Sequence, residues 1–513
     1  MTPAMTPAMT PAMTPAMTLV LRGGRHGLGG PPCDVTIGDG RVLAVGPAGS
    51  DQDLVDAGVA QLVSLPESTV LPGLVDAHVH VDQWAHRSHR IDVGEATSPA
   101  GVAAAIREHL DAAPPVDGRV VTAHGFVDGL WTDRPHRDVL DAVVGEVPVA
   151  VVSADMHALW LNGAALGLVG RPEHPTGVLR EVECGDTLRG LMDAEPAEVV
   201  DRWVAEALAA AAARGVTALI DFEYADNLSA WRRRAARWEL PLRVRASVGV
   251  PWLEAALAAG RRTGTPVEGT RGRVEVGPLK LMADGSLNTR TACCHDPYAG
   301  EHGPDEEPFG LELMDPDEMV ALMSRAWQAG LEPAVHAIGD RANTLVLDAF
   351  EKVGCTGRIE HAQLVRAADL GRFAAAGVVA SVQPQHAVAD RDVAERYWAG
   401  RTADAFPYLA LHQAGARLEF GSDAPVSPLD PWLAVADAVT RTDDDRPSWH
   451  PEQALPLDAA MTAASGGRRT FAAGDIADLT VVAGDPRRMA MSDLRLANVL
   501  GTLVGGEFTY RTV

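Results

Sequence analysis

Basic residues are in short supply in this chain. There are 44 lysines and arginines against 69 aspartates and glutamates, a formal net charge of −25. A surface of that sign repels nucleic acid and anionic membranes, so neither is expected as a partner. Cysteine is scarce as well. Cys33, Cys184, Cys293, Cys294 and Cys355 are odd in number and irregular in spacing. They form no CxxC pair for a structural zinc site and no disulfide framework. Free thiols in a reducing, cytoplasmic compartment are the expectation. No apolar run reaches the length of a membrane span without charges or breakers, so no transmembrane helix is expected. The first residues have neither a basic n-region nor an apolar h-region, so no secretory signal is expected either.

What stands there instead is the tetrapeptide MTPA, repeated over residues 1–16 and followed by Met17. Proline at every fourth position blocks a helix. Residues 1–17 are therefore expected to be a disordered low-complexity tail, with Met17 as an alternative translation start. The rest has the balance of a folded protein, with 47% hydrophobic and 22% charged residues over the whole chain, and is long enough for a large core. Residues 19–71 read as short strands with glycine turns. Asp34–Gly46 alternates about a Gly-Asp-Gly turn, a hairpin signal. Ile476–Pro486 and Asn498–Tyr510 have the same character. Residues 18–72 plus 472–513 are expected to form a small β-sandwich domain built from both chain ends.

Between them, residues 73–471 alternate apolar strand-like runs with Ala-rich amphipathic helices such as Pro196–Arg214 and Asp315–Ala329. That alternation predicts an α/β fold with a parallel sheet, a (β/α)8 TIM-like barrel. The eight runs are Gly73–Val79, Gly215–Phe222, Leu242–Val250, Val274–Met282, Glu332–Ala337, Gly357–Ala362, Val378–Gln383 and Arg417–Asp423. The stretch after the first is too long for one crossover. Residues 85–195 are read as an insertion over the barrel mouth. Its two strand-like runs, Arg119–Phe126 and Val147–Ser153, leave an alternative in which they belong to the barrel and shift the later strands.

Polar residues recur at the ends of these runs. His78 and His80 lie two apart and so share a strand face, where two imidazoles can hold one cation. His336, His361 and Asp423 each lie at or next to the end of a run, and Lys280 sits late in another. Barrel active sites form at that face, and a buried lysine is costly unless it is paired or chemically changed.

The blocks LPGLVDAHVH, LKLMADGSLNTRTA, VHAIGDRANTLVLDAFE, RIEHAQLV and FGSDAPVSPLDPW resemble the amidohydrolase superfamily. More narrowly, they resemble the branch with YtcJ-like proteins and N-substituted formamide deformylases. SADMHALWLNGAAL and TGVLRE in the insertion, and the closing IADLTVVAGDP, match less specifically. The segment after Leu455 looks shortened, without the family's usual helix–Gly–strand run.

The resemblance implies a metal-dependent hydrolase acting on a non-peptide C–N bond of a small molecule, an amide or formamide. It implies that His78 and His80 bind one divalent metal with Asp423, and that His336 and His361 bind a second. Lys280 would be carboxylated and bridge both. Histidine nitrogen with carboxylate oxygen favours zinc over other divalent ions. Asp423 would take a proton from metal-activated water and pass it to the leaving amine.

Substrate contacts are expected from loops at the barrel mouth, namely Asp284, Ser286 and Arg290 after the fourth strand and His157, Trp160 and Asn162 in the insertion. Trp84, Trp131 and Trp398 are read as pocket lining or core packing. His86, His89, His124, His295, His386 and His412 are read as core, loop or surface residues, with His386 just past the seventh strand the foremost exception. A mononuclear deaminase of a ring amine is the alternative, and it would not need the strand-4 lysine. A non-catalytic barrel relative is the third reading. A homodimer is left open.

Overall fold

The computed structural model describes residues 18–113, 119–300 and 307–513. The MTPA repeat lies outside them. Among the described residues no helix is long and apolar enough to cross a membrane.

Eight strands form a parallel sheet in chain order: β1 (Leu74–Val79), β2 (Val216–Asp221), β3 (Arg243–Gly249), β4 (Val274–Met282), β5 (Pro333–Ala337), β6 (Gly357–His361), β7 (Val378–Val382) and β8 (Leu418–Phe420). Each neighbouring pair is parallel. These are the eight runs read from the sequence. They show as nearly unbroken apolar stretches because parallel strands are covered on both faces.

The ring closes between β8 and β1 just beyond the last residues of β8. The Asp423 amide donates to the His78 carbonyl at 2.7 Å, and the His80 amide donates to the Ala424 carbonyl at 2.9 Å. Glycine is required at this seam. A Cβ on Gly421 would stand 2.6 Å from the Cβ of His78, closer than two carbons can pack.

The barrel core lies between the strands and the helices outside them. Val204 and Leu208 of helix Ala197–Ala213, Val346, Leu347 and Phe350 of helix Asp340–Val353, and Trp432 of helix Pro431–Thr440 are all buried in it. The stretch after Leu455 does form a helix, Leu457–Ala464, that buries Ala460 and Met461. Its alanine-rich sequence is short but favours helix strongly.

Strands from both chain ends share one sheet. In order they are Glu507–Arg511, Val499–Val504, Leu479–Ala483, Ser68–Pro72, Thr18–His26, Pro32–Gly38 and Arg41–Pro47, with Ala60–Ser64 also pairing with Thr18–His26. Antiparallel pairing of Leu479–Ala483 with Ser68–Pro72 ties the two ends together. The expected hairpin turns at Asp39 and Gly40, both at positive φ, the geometry that matches strand twist in a tight hairpin.

The insertion has a sheet of its own, in the order Val178–Arg180, Ala158–Leu161, Val149–Ser153, Val121–Phe126 and Ile91–Asp92. The two runs that could have entered the barrel are inside this sheet, which overturns that alternative. Helices cover both of its faces. Ala158 and Trp160 pack on one side with Val102, Ile106 and Leu140, while Leu159 and Leu161 pack on the other with Leu166, Leu179 and Leu188. This is the two-residue alternation of a strand buried on both sides.

Candidate metal centre

The C-terminal ends of the barrel strands open into a cavity of about 960 Å³. His78, His80, Lys280, His336, His361 and Asp423 all line it, and His157 and Glu181 of the insertion face them across it.

His78, next to the last residue of β1, is fully buried. One of its nitrogens, Nδ1, lies 2.7 Å from the Glu360 carboxylate, which leaves Nε2 to face the cavity. Burial, and then the nearby Lys280 charge, push its pKa down to about 4, so the ring is neutral with a lone pair at neutral pH. His80 Nε2 comes within 3.3 Å of Asp423 Oδ1, and His78 Nε2 within 3.5 Å. One donor atom from each of His78, His80 and Asp423 lies within 4.8 Å of the other two. Burial opposes the ionised form of Asp423, but the surrounding imidazoles win and hold its carboxyl well below the usual range. Oδ1 of that carboxylate is buried with no hydrogen-bond partner. A buried, ionised, unpartnered oxygen beside two imidazole nitrogens fits a divalent cation.

Strand alternation sends Arg358 and Glu360 into the barrel. His361 would then point outward, but its φ of +77° turns the ring back over the site, with its centroid 4.9 Å from that of His78 and 4.4 Å from that of His336. His361 Nδ1 meets Gln383 Oε1 at 2.9 Å, which frees Nε2. In His336 it is Nε2 that is engaged, by the Gly285 carbonyl at 3.1 Å, so Nδ1 is the free nitrogen. Holding the non-ligating nitrogen is how proteins fix a metal-binding tautomer.

Lys280 is one of two lysines in the chain. Its amine lies 3.5 Å from His78 Nε2 and 4.6 Å from the centre of the Phe222 ring. Burial brings its pKa down to about 8, against the pull of Glu360 and Asp423.

Several participants gave no isolated signal in the sequence. Glu360 receives His78 and is itself paired with Arg358 at 2.6 Å, which pairs with Glu419 at 2.6 Å. All three are buried, so an ion-pair chain runs through the barrel interior to the first histidine. Arg358 and Glu360, two apart in GRIEHA, were the available clue. His386 is the other addition. It stacks parallel to His361 at 6.3 Å, its Nε2 lies 3.9 Å from Asp423 Oδ2, and that nitrogen is buried without a partner. With His361 and Asp423 it makes a second group of donor atoms able to hold a cation.

The six loop residues expected at the substrate divide. His157 is in the cavity wall. Ser286 stands behind it, bonded to Asp155 at 2.6 Å, and Asp155 lines the cavity. Asp284 is wholly buried and accepts the amides of Cys293, Ile338 and Gly339 at 2.8–3.0 Å. It fastens the loop after β4 to the one after β5. Arg290 donates to the Tyr397 hydroxyl at 3.1 Å and lines a different cavity of about 530 Å³ together with Trp131. Trp160 is fully buried in the core of the insertion. Asn162 caps helix Gly163–Leu168, accepting the Ala165 amide, and also accepts the Val149 amide. Tryptophan and asparagine serve packing and capping as readily as binding, and the sequence alone does not separate these uses.

The model of the amidohydrolase family matches residues 61–510. The chain is 28% identical to the putative amidohydrolase YtcJ of Bacillus subtilis (strain 168), covering 87% of this chain and 90% of the relative. It is 26% identical to the N-substituted formamide deformylase of Arthrobacter pascens, covering 93% and 94%. Among solved structures, an uncharacterised metal-dependent hydrolase from Pyrococcus horikoshii OT3 superposes with a TM-score of 0.76 at 25% identity, over 92% of this chain and 99% of that one.

Proposed function

The chain belongs to the amidohydrolase family, and from that premise we propose that it hydrolyses a non-peptide C–N bond, an amide or formamide, in a small molecule. The observation that carries the reading is the buried trio of His78, His80 and Asp423, whose donor atoms lie within 4.8 Å of one another. These three would hold one divalent ion, zinc by donor chemistry. His336, His361 and a carboxylated Lys280 would hold a second. When bound, such ions acidify water and polarise a carbonyl.

The chain's own groups do the rest. Asp423, kept ionised by its histidine neighbours, accepts a proton from the attacking water and returns it to the leaving nitrogen. Glu360 and Gln383 keep His78 and His361 in the tautomers that present Nε2. Lys280, lowered to about 8, has the neutral amine within reach, and that is the form that adds CO2. The carbamate would remove the cost of a buried ammonium. The relative named as a formamide deformylase supports the C–N class. The five buried, unpaired cysteines support a reducing, cytoplasmic setting.

Elemental analysis with intact-mass measurement tests the metal reading. About two divalent ions per chain and one added CO2, absent in Lys280→Arg, are expected, together with turnover of simple formamides. One ion without CO2 would replace the two-metal site with a mononuclear one. No metal even after reconstitution would overturn the hydrolase reading.

A further inference from the structure

The cap contributes more than a wall. His157 lines the same cavity as Asp423, with its ring centroid 5.8 Å from that of His336. Its Nδ1 is 2.7 Å from Glu181 Oε2, and the side chain keeps 18% of its surface exposed. The nitrogen left to face the cavity is Nε2. Glu181 is itself held by the hydroxyls of Thr289, at 3.0 Å, and Thr291, at 2.5 Å. A second carboxylate, Asp155, accepts the His157 amide at 3.2 Å and the Ser286 hydroxyl at 2.6 Å. Ser286, Thr289 and Thr291 all belong to the segment that follows Lys280. The imidazole is thus held by Glu181 and its backbone amide by Asp155, and both carboxylates are anchored on the barrel loop next to a metal-site residue.

We propose that His157 donates a hydrogen bond from Nε2 to the substrate carbonyl oxygen as that oxygen gains negative charge. As the water oxygen bonds to the carbonyl carbon, the C=O π pair moves onto the oxygen and the water proton goes to Asp423. His157 keeps its own proton and supplies only the hydrogen bond. The pair then returns, the C–N bond breaks, and the nitrogen leaves with the proton from Asp423. The two carboxylates favour a ring that holds both protons. Glu181 meets Nδ1 at 2.7 Å and Asp155 meets the residue's own amide at 3.2 Å, so the ring sits beside two negative charges. A charged donor fixed in advance is the arrangement that stabilises an oxyanion.

This inference rests on the hydrolase reading above, but only in needing a carbonyl under attack. The test compares wild type, His157→Phe, His157→Gln, Glu181→Gln and Asn162→Ala, all metal-loaded. Asn162→Ala loosens the same cap without touching the cavity. Two readouts apply, namely binding of phenylphosphonate, a tetrahedral oxyanion, by calorimetry, and kcat and KM on formanilide.

His157→Phe is expected to weaken phenylphosphonate by about 10- to 100-fold and to lower kcat by about 100- to 1,000-fold with KM little changed. His157→Gln, which keeps an N–H donor near Nε2, is expected to recover part of both. Glu181→Gln should fall between, and Asn162→Ala should match wild type. Unchanged phosphonate affinity in His157→Phe overturns the proposal. So does a kcat loss no larger than that of Asn162→Ala, an absence of recovery in His157→Gln, or a wild type that binds no phosphonate. If wild type leaves formanilide intact while phosphonate binding still depends on His157, the amide reading fails and the assignment of His157 stands.

Discussion

The two halves of the cavity are held by different forces. On the barrel side the frame is ionic and dry: Glu419, Arg358 and Glu360 form a buried chain that ends on His78. On the cap side Glu181 pairs with His157, but what ties this pair and Asp155 to the barrel loop is neutral, the hydroxyls of Ser286, Thr289 and Thr291. A buried charge that loses its partner is left uncompensated, whereas a lost hydroxyl costs only one hydrogen bond. Damage to the barrel half should therefore be felt as loss of fold and metal together. Damage to the cap half should be felt as misalignment in a protein that still folds.

The strongest way to sharpen this contrast is to remove the shared carboxylate. Asp423→Asn is expected to lose metal affinity and to lower turnover by about 100- to 10,000-fold, read by elemental analysis and steady-state kinetics. Next comes Glu360→Gln, which strips a charge from Arg358 and the tether from His78. It should destabilise the fold by about 3–5 kcal/mol in denaturant unfolding and weaken metal binding by about 10- to 100-fold. If Glu360→Gln unfolded like wild type, the ionic frame would be decorative and the contrast would collapse.

The cap half should respond to pH. His157 is held at about 9 in the fold, against 6.5 as its ordinary value. The folded value is the higher one, so its stabilising contribution is complete below about 6.5 and is lost as pH rises through about 9. The gap in melting temperature between wild type and His157→Phe should accordingly narrow between pH 6 and pH 10. A gap that does not change over that range would count against the imidazole–carboxylate tie. The smallest effect belongs to Asn162→Ala. It removes a helix cap and a partner of the Val149 amide, and should cost about 1 kcal/mol without change in metal content.

The barrel was legible because its parallel strands are apolar on both faces and several of them carry a polar residue at or near the C-terminal end. His78, His80, Lys280, His336, His361 and Asp423 were legible as neighbours because strand ends of a barrel converge. Glu360 was hidden by its position beside His361. A strand alternates, and nothing in the sequence announces the positive φ that lets two adjacent residues both turn toward the site. His386 sits on a helix that follows β7, and helix Pro384–Ala389 has too few residues to reveal which face looks inward. In the insertion, Trp160 and Asn162 carry chemistry that suits either a pocket or a core. Their roles follow from which helices cover the sheet, and that is a tertiary fact.

One feature of the seam reaches beyond catalysis. A barrel is a hoop, and this one is fastened at Asp423, whose amide holds the His78 carbonyl while its carboxylate faces the histidines. The clasp and the reactive group are one residue. Slow amide exchange at Asp423 and His80 would therefore time the opening of the hoop, and the protein could not spring that clasp and remain competent. On heating, activity should not outlast the hoop, leaving no window in which an opened barrel is still active.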